Sequence, residues 1–227
     1  MTKKIFLLGR SGSGKTTVAS YIKDMLGDVF HSGDYLILHD MYMKDDGNLF
    51  EPADPFRPDL GFNIKNPMTS PVWDMALKKM EQETQLRIQR NEAIRKDEHI
   101  ILEFARRDHI EALKQLSHGF LQNSYFLFVE ASVPTAIERI HKRVENKGEH
   151  YIREAIISGY FGLDNYPFME GCQILGQKVT CIRNEGLSEE ELREKTNTFV
   201  ESISPSYGKE GSITSPPEGY LPMSYRR

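Results

Sequence analysis

The segment Gly9-Arg10-Ser11-Gly12-Ser13-Gly14-Lys15-Thr16 constrains the fold of this chain more than any other. It follows the apolar run Ile5-Phe6-Leu7-Leu8 and precedes a pattern in which Val18, Ile22 and Met25 recur at helical spacing. G-x-x-x-x-G-K-[ST] set between a strand and a helix is the phosphate-loop motif in its required context. The glycines let the backbone curl until successive N–H groups converge on phosphate oxygens. The start of the helix adds unpaired N–H groups and a partial positive charge. Lys15 is then placed to reach β- and γ-phosphates, and the Thr16 hydroxyl to ligate Mg²⁺. Gly9, Ser11, Gly12, Ser13, Gly14, Lys15, Thr16 and Thr17 are therefore the expected cofactor-binding residues, with ATP and Mg²⁺ as the expected cofactors.

The 227 residues suit one α/β domain with a full core and an inserted lid. A formal net charge of −4 gives no basic field of the kind that attracts nucleic acid. Cys172 and Cys181 are too few for a disulfide framework and lack metal-ligand spacing, so they are read as free, buried thiols in a reducing cytoplasm. Met1-Thr2-Lys3-Lys4 enters the first strand directly, which leaves no room for a signal peptide, and no apolar run approaches bilayer-spanning length. The expectation is a cytoplasmic protein with no membrane or nucleic-acid partner, a monomer or homodimer.

Along the chain, a strand over 3–8 and a helix over 15–26, closed by Gly27, make the first unit. Val29-Phe30-His31 is the second strand. Residues 40–69 carry Pro52, Pro55, Pro58 and Pro67, which forbid a long helix and mark an irregular insertion. Ser70-Pro71 begins a long helix to about Asp97, with Trp73, Leu77, Met80, Thr84, Ile88, Asn91 and Ile94 on one face. His99–Phe104 is the third strand, 108–122 a helix, and Tyr125–Val129 the fourth strand. Ser132 caps a helix that breaks at Asn146-Lys147-Gly148, and another follows from about His150 to Tyr160. Val179–Ile182 is the fifth strand. Ser188 and Glu191 form a capping box for a helix to about Ile203, and 204–227 is expected to be a flexible tail or peripheral wrap. Short apolar strands alternating with helices imply a parallel sheet covered on both faces, with the ligand at the carboxyl ends of its strands.

The loop, Ser32-Gly33-Asp34 after the second strand, Glu103 near the end of the third and an arginine-bearing helix after the fourth resemble the nucleoside monophosphate kinase-like, or adenylate kinase-like, P-loop kinases. That resemblance spans the order of elements over 3–203 and implies a five-stranded P-loop NTPase sheet of order 2-3-1-4-5. It implies a kinase domain over 1–203, with a substrate-binding insertion over about 40–98 and a lid over about 133–162. It also implies that Arg139 and Arg143, four positions apart on one helix face, close over the transferred phosphate. A small-molecule acceptor, most readily a nucleotide or nucleoside monophosphate, follows from the same resemblance. The chain departs from two subfamilies. Glu103-Phe104-Ala105-Arg106-Arg107 has neither the adjacent Glu-Arg of deoxynucleoside kinases nor the Asp-Arg of thymidylate kinases.

Glu103 is costly near the end of an apolar strand unless it faces a site or a cation, so it is expected to hold Mg²⁺ through water or to act as a base. Asp34, Arg106, Arg107 and Arg153 are candidate acceptor-binding residues, with capping of the following helix an equal use for Asp34. Asn184, past the fifth strand, lies where the resemblance implies that the adenine ring is held, with a turn residue an equal reading. His31, His39, Asp40, Asp45 and Asp46 match no zinc or EF-hand spacing and are read as solvated loop residues. Tyr35, Tyr42, Phe50, Phe56 and Phe62 are free either to stack on a ligand or to pin the insertion. Asn146-Lys147-Gly148-Glu149 follows a helix instead of a strand, which excludes a GTPase switch. Rival readings are a kinase of a non-nucleotide metabolite, a regulatory nucleotide-binding module, and transfer to a polynucleotide 5′-hydroxyl. The acidic insertion opposes the last.

Overall fold

A computed structural model describes residues 2–147 and 150–204. Five strands form the main sheet: β1 (Lys3–Leu8), β2 (Val29–Gly33), β3 (His99–Phe104), β4 (Ser124–Glu130) and β5 (Thr180–Arg183). Their spatial order is β2-β3-β1-β4-β5, and every neighbouring pair is parallel. Parallel strands need crossovers, and helices lie in them: α1 (Lys15–Leu26), α2 (Asp34–Met43), α3 (Val72–Ala93), α4 (His109–Leu113), α5 (His118–Leu121), α6 (Val133–Lys147), α7 (Glu154–Gly159) and α8 (Tyr166–Glu170), while α9 (Glu189–Ile203) follows β5.

Strand alternation sorts the core into two layers. Ile5, Leu7, Ile101, Leu127, Val129 and Ile182 pack against α1 and α9 through Val18, Ile22, Phe199 and Val200. Phe6, Leu8, Ile100, Leu102, Phe104 and Phe128 face the other way, onto Val72, Leu77 and Met80 of α3 and onto α4 and α5. Phe6 stacks on Phe126 at 5.3 Å and meets Phe104 and Phe120 edge-on. A smaller cluster of Ala136, Ile140 and Ile157 joins α6 to α7.

Several expected elements change shape. The helix expected over 108–122 is two, because Asp108 caps α4 and the Ser117 hydroxyl accepts from Phe120 N to start α5 afresh. α3 stops at Ala93, short of Asp97, and leaves Ile94 exposed. α6 continues to Lys147, past the break expected at Asn146, while Gly148 lies outside the described residues. The helix expected from His150 begins at Glu154, since the backbone before it is used elsewhere: Tyr151 N donates to Leu60 O at 2.8 Å. The insertion holds an antiparallel hairpin, Phe50–Pro52 with Phe62–Ile64, and a 3₁₀ turn at Pro58–Leu60. A second hairpin, Gln173–Ile174 with Gln177–Lys178, had no expectation attached. The capping box of Ser188 and Glu191 is present. Of the expected tail, Ser204 is buried and 205–227 lie outside the described residues.

Cys172 and Cys181 are free and half-buried, and burial pushes the Cys181 thiol up to about 12. Among the described residues no helix is long and apolar enough to cross a membrane.

Candidate active site

The loop between β1 and α1 is built from close approaches that only glycine allows, at Gly9, Gly12 and Gly14. A Cβ on Gly9 (φ +144°) would sit 2.1 Å from the Val129 carbonyl oxygen. One on Gly14 (φ +98°) would sit 2.5 Å from Asn184 Nδ2. Around the loop, polar groups hold it in place. Gly9 N donates to His109 Nε2 at 3.1 Å, and Asn184 Nδ2 to Ser13 O at 2.8 Å. Arg139 donates to Ser13 O at 3.3 Å and to Asn184 O at 3.0 Å. Arg10 leaves the loop to pair with Glu130 at the end of β4, and both side chains are about 5% exposed. Burial raises Glu130 to about 7 although Arg10 pulls the other way.

Lys15 donates to the loop's own Arg10 carbonyl at 2.9 Å. Burial lowers its pKa, and the charges of Glu103 and Asp34 oppose that lowering. Thr16 Oγ1 donates to Glu103 Oε1 at 3.0 Å. Glu103 Oε2 pairs with His31 Nε2 at 2.9 Å, and Lys23 Nζ lies 3.0 Å from His31 Nδ1. Lys23 can only donate, so Nδ1 accepts and the proton sits on Nε2, aimed at Glu103. Burial alone would raise Glu103. The bond from His31, the charge of Lys15 and the bond from Thr16 outweigh it and hold the carboxyl below its ordinary value. Thr16 and Glu103 thus present hard oxygen donors at one point, a donor set that fits Mg²⁺, which takes its remaining ligands from water and phosphate.

Asp34 is the first residue of α2, and Gly33 occupies the cap position without a side-chain bond. Its Oδ2 accepts from Arg106 Nη1 and from Ala105 N. Burial raises the Asp34 pKa and Arg106 opposes the rise. Arg106 is therefore not open to an acceptor phosphate: it is buried, donates to Trp73 O at 3.0 Å and lies over the Trp73 ring. Arg107 is exposed and does not line the cavity. Arg153 is turned away as well. It donates to Ala53 O, Pro52 O and Glu51 Oε1, clamping the segment before α7 to the insertion hairpin. Asn184 is buried against the loop, its amide used on Ser13, and lies outside the cavity lining.

A cavity of about 1090 Å³ opens at the carboxyl ends of the strands. Ser11, Gly12, Gly14, Lys15, Thr16 and Thr17 line one end. Asp34, Tyr35, Phe62, Trp73, Glu103 and His150 line another part, and Arg139 and Arg143 border it from α6. Arg143 Nη2 donates to His150 O at 2.9 Å. The His150 ring sits 4.7 Å from Tyr35 and 5.0 Å from Phe62, so the segment before α7 rests on the insertion. Of the aromatic residues singled out in the sequence, Tyr35 and Phe62 reach the cavity, Phe50 is core and Phe56 is exposed.

A family model described as an AAA domain matches residues 5–158, more than half of the chain. The chain belongs to this AAA domain family. A search of curated proteins found no match. Among solved structures, a sugar kinase from Janibacter sp. HTCC2649 is similar with a TM-score of 0.51 and 15% identity, over 91% of this chain and 98% of that one. A gluconokinase from Sinorhizobium meliloti 1021 is similar with a TM-score of 0.50 and 12% identity, over 92% and 98%. At such identities the likeness is one of fold, and this AAA domain has the fold of P-loop kinases.

Three polar contributors to this AAA domain's site were not foreseen. His31 was read as a solvated loop residue, yet it fixes Glu103. The one signal was its position in a strand whose carboxyl end lines the crevice. His109 is fully buried beneath the loop, and burial lowers its pKa to about 3. Nothing in its local sequence marks it. The Arg10–Glu130 pair joins a variable position of the motif to the end of β4. Two aspartates of that early stretch have local uses: Asp45 accepts from Leu49 N and Phe50 N, and Asp40 pairs with Lys44 and Lys79. Among the described residues no group of three or more His, Cys, Asp and Glu is placed to hold a metal.

Proposed function

We propose that this protein is an ATP- and Mg²⁺-dependent kinase that transfers the γ-phosphoryl group to a hydroxyl of a small acceptor. The observation that carries the reading is the convergence of Lys15, Thr16, Glu103 and Asp34 on one cavity. Phosphoryl transfer needs alignment and charge neutralisation more than covalent help from the protein. Lys15 and the loop amides neutralise charge that develops on the β–γ bridging oxygen. Arg143, on the α6 border of the cavity, and Arg139, against Ser13 O, bring positive charge to the transferred group. The segment around His150 excludes water from it. Thr16 and Glu103 hold Mg²⁺, which when bound supplies further charge neutralisation at the β- and γ-phosphates.

Glu103 is already engaged by Thr16 and His31, so the proton-accepting role falls to Asp34, whose raised pKa suits it to take a proton. Asn184 and Arg106 are positioning residues: one fixes the loop and Arg139, the other fixes Asp34.

The test is coupled ADP release from Mg-ATP with a panel of hydroxylated acceptors, with Lys15→Ala as the blank. Removing the lysine is expected to lower turnover about a hundredfold or more while leaving the melting temperature of the apo protein close to that of the wild type. Wild-type turnover in Lys15→Ala would sink the assignment. Firm ATP binding with only an acceptor-independent background would favour a regulatory nucleotide-binding module.

A further inference from the structure

Among the described side chains, the lysines and arginines that line the cavity come from one side of it. Among the described side chains that line it, Lys15 belongs to the loop, Lys142 and its arginine neighbours to α6, and Arg193 to α9. The opposite half is built by α2, residues 59–67, the start of α3 and residues 150–161. Among the described residues it contributes the carboxylates of Asp34 and Asp59 and no lysine or arginine. Of the arginines that touch that half, Arg106 is paired with Asp34, Arg153 with Glu51, and Arg143 reaches it from α6 with a bond to the His150 carbonyl. His150 adds no charge at neutral pH, since burial lowers its pKa to about 3.

What the acceptor half offers instead is rings. Tyr35 lies parallel to Phe62 at 5.9 Å, and Trp73 and Phe161 meet edge-on at 6.1 Å. Leu60, Ile64 and Ile152 line the same cavity. A phosphate or carboxylate brought here would shed water and meet the Asp59 carboxylate, and the arginines within reach are already engaged by Asp34, Glu51 and the His150 carbonyl.

We propose that the acceptor is an uncharged alcohol whose ring packs against Tyr35, and that the site rejects its phosphorylated or carboxylated counterparts. This rests on the kinase reading above and narrows it away from nucleoside monophosphates. In the transfer, the alcohol oxygen bonds to the γ-phosphorus while the bond from that phosphorus to the bridging oxygen breaks. The electron pair leaves on ADP, and the hydroxyl proton passes to Asp34.

The experiment compares matched pairs: nucleosides with their 5′-monophosphates, and cyclic alcohols with their phosphate esters. ADP release with Mg-ATP and thermal shift with Mg²⁺ and a non-hydrolysable ATP analogue are both measured on the wild type. For at least one pair, kcat/KM for the uncharged member is expected to exceed that for its ester by about a hundredfold or more, since unrelieved like charge costs several kcal/mol. Asp59→Lys is expected to narrow that ratio about tenfold. A monophosphate used as well as its nucleoside overturns the inference and leaves the kinase reading intact. Absence of turnover above the Lys15→Ala blank with every compound removes the kinase reading. In that case a thermal shift for the ester at least as large as for the alcohol overturns the selectivity too, and the reverse order upholds it.

Discussion

His31 shows how a single imidazole can govern a site it does not enter. Lys23 fixes its tautomer and Nε2 bonds Glu103, so the carboxylate faces Thr16 in one orientation. Partners of this kind around metal ligands are worth about 10–100-fold in affinity or activity. His31→Ala is expected to raise the Mg²⁺ concentration for half-maximal activity about tenfold, and His31→Gln, which keeps a donor, to recover part of it. An unchanged Mg²⁺ dependence in His31→Ala would show that Glu103 does not act at the metal. At this scale the sequence was informative where the constraint is local. Gly9, Gly14 and Lys15 are specified by backbone geometry within one loop, and Glu103 by the cost of a carboxylate near the end of an apolar strand. His31 and His109 could not be read in the same way. Each is defined by a neighbour brought close by strand order: Glu103 lies 72 residues from His31, and Gly9 lies 100 residues from His109. The roles given to Arg106, Arg107, Arg153 and Asn184 assumed that a polar residue near the site faces it. In the structure Arg106, Arg153 and Asn184 are instead engaged by a carboxylate or a backbone carbonyl of the protein.

Among the elements, strands and long helices followed their periodicity closely, since burial on two sheet faces enforces it. α1 and α9 begin and end within a residue or so of expectation. The insertion did not, because its hairpin is stabilised by what it touches: the Arg153 guanidinium and the Leu60 carbonyl join it to the segment before α7. Arg153→Ala removes three donated bonds from a half-exposed side chain, about 1–2 kcal/mol in net terms. Hydrogen exchange at residues 50–53 and 62–64 should accelerate about fivefold to thirtyfold while the main sheet stays protected. The KM for the acceptor should rise with it, and the KM for ATP should not. Uniform acceleration across the sheet would mean that Arg153 supports the whole fold instead of this one junction.

For the molecule as a whole, two buried histidines set how stability responds to acid. Burial lowers His109 and His150 to about 3, against about 6.5 in an unfolded chain. Above pH 6.5 neither state carries the proton, and the fold has its full stability from these groups. As pH falls from 6.5 towards 3, the unfolded chain takes up two protons that the folded one refuses, so stability is lost. Denaturant midpoints across that window should therefore drop more steeply for the wild type than for His109→Asn, with His150→Asn giving a second, separable flattening. Parallel curves for all three would show that neither imidazole is held neutral.

The bond from Lys15 to the Arg10 carbonyl has a consequence of its own. Donor and acceptor belong to the same loop, so part of the lysine's hydrogen-bonding capacity is met from within. On the kinase reading proposed above, a nucleotide would exchange its terminal phosphate for that carbonyl, and its measured affinity would be a difference between two occupants of one ammonium group.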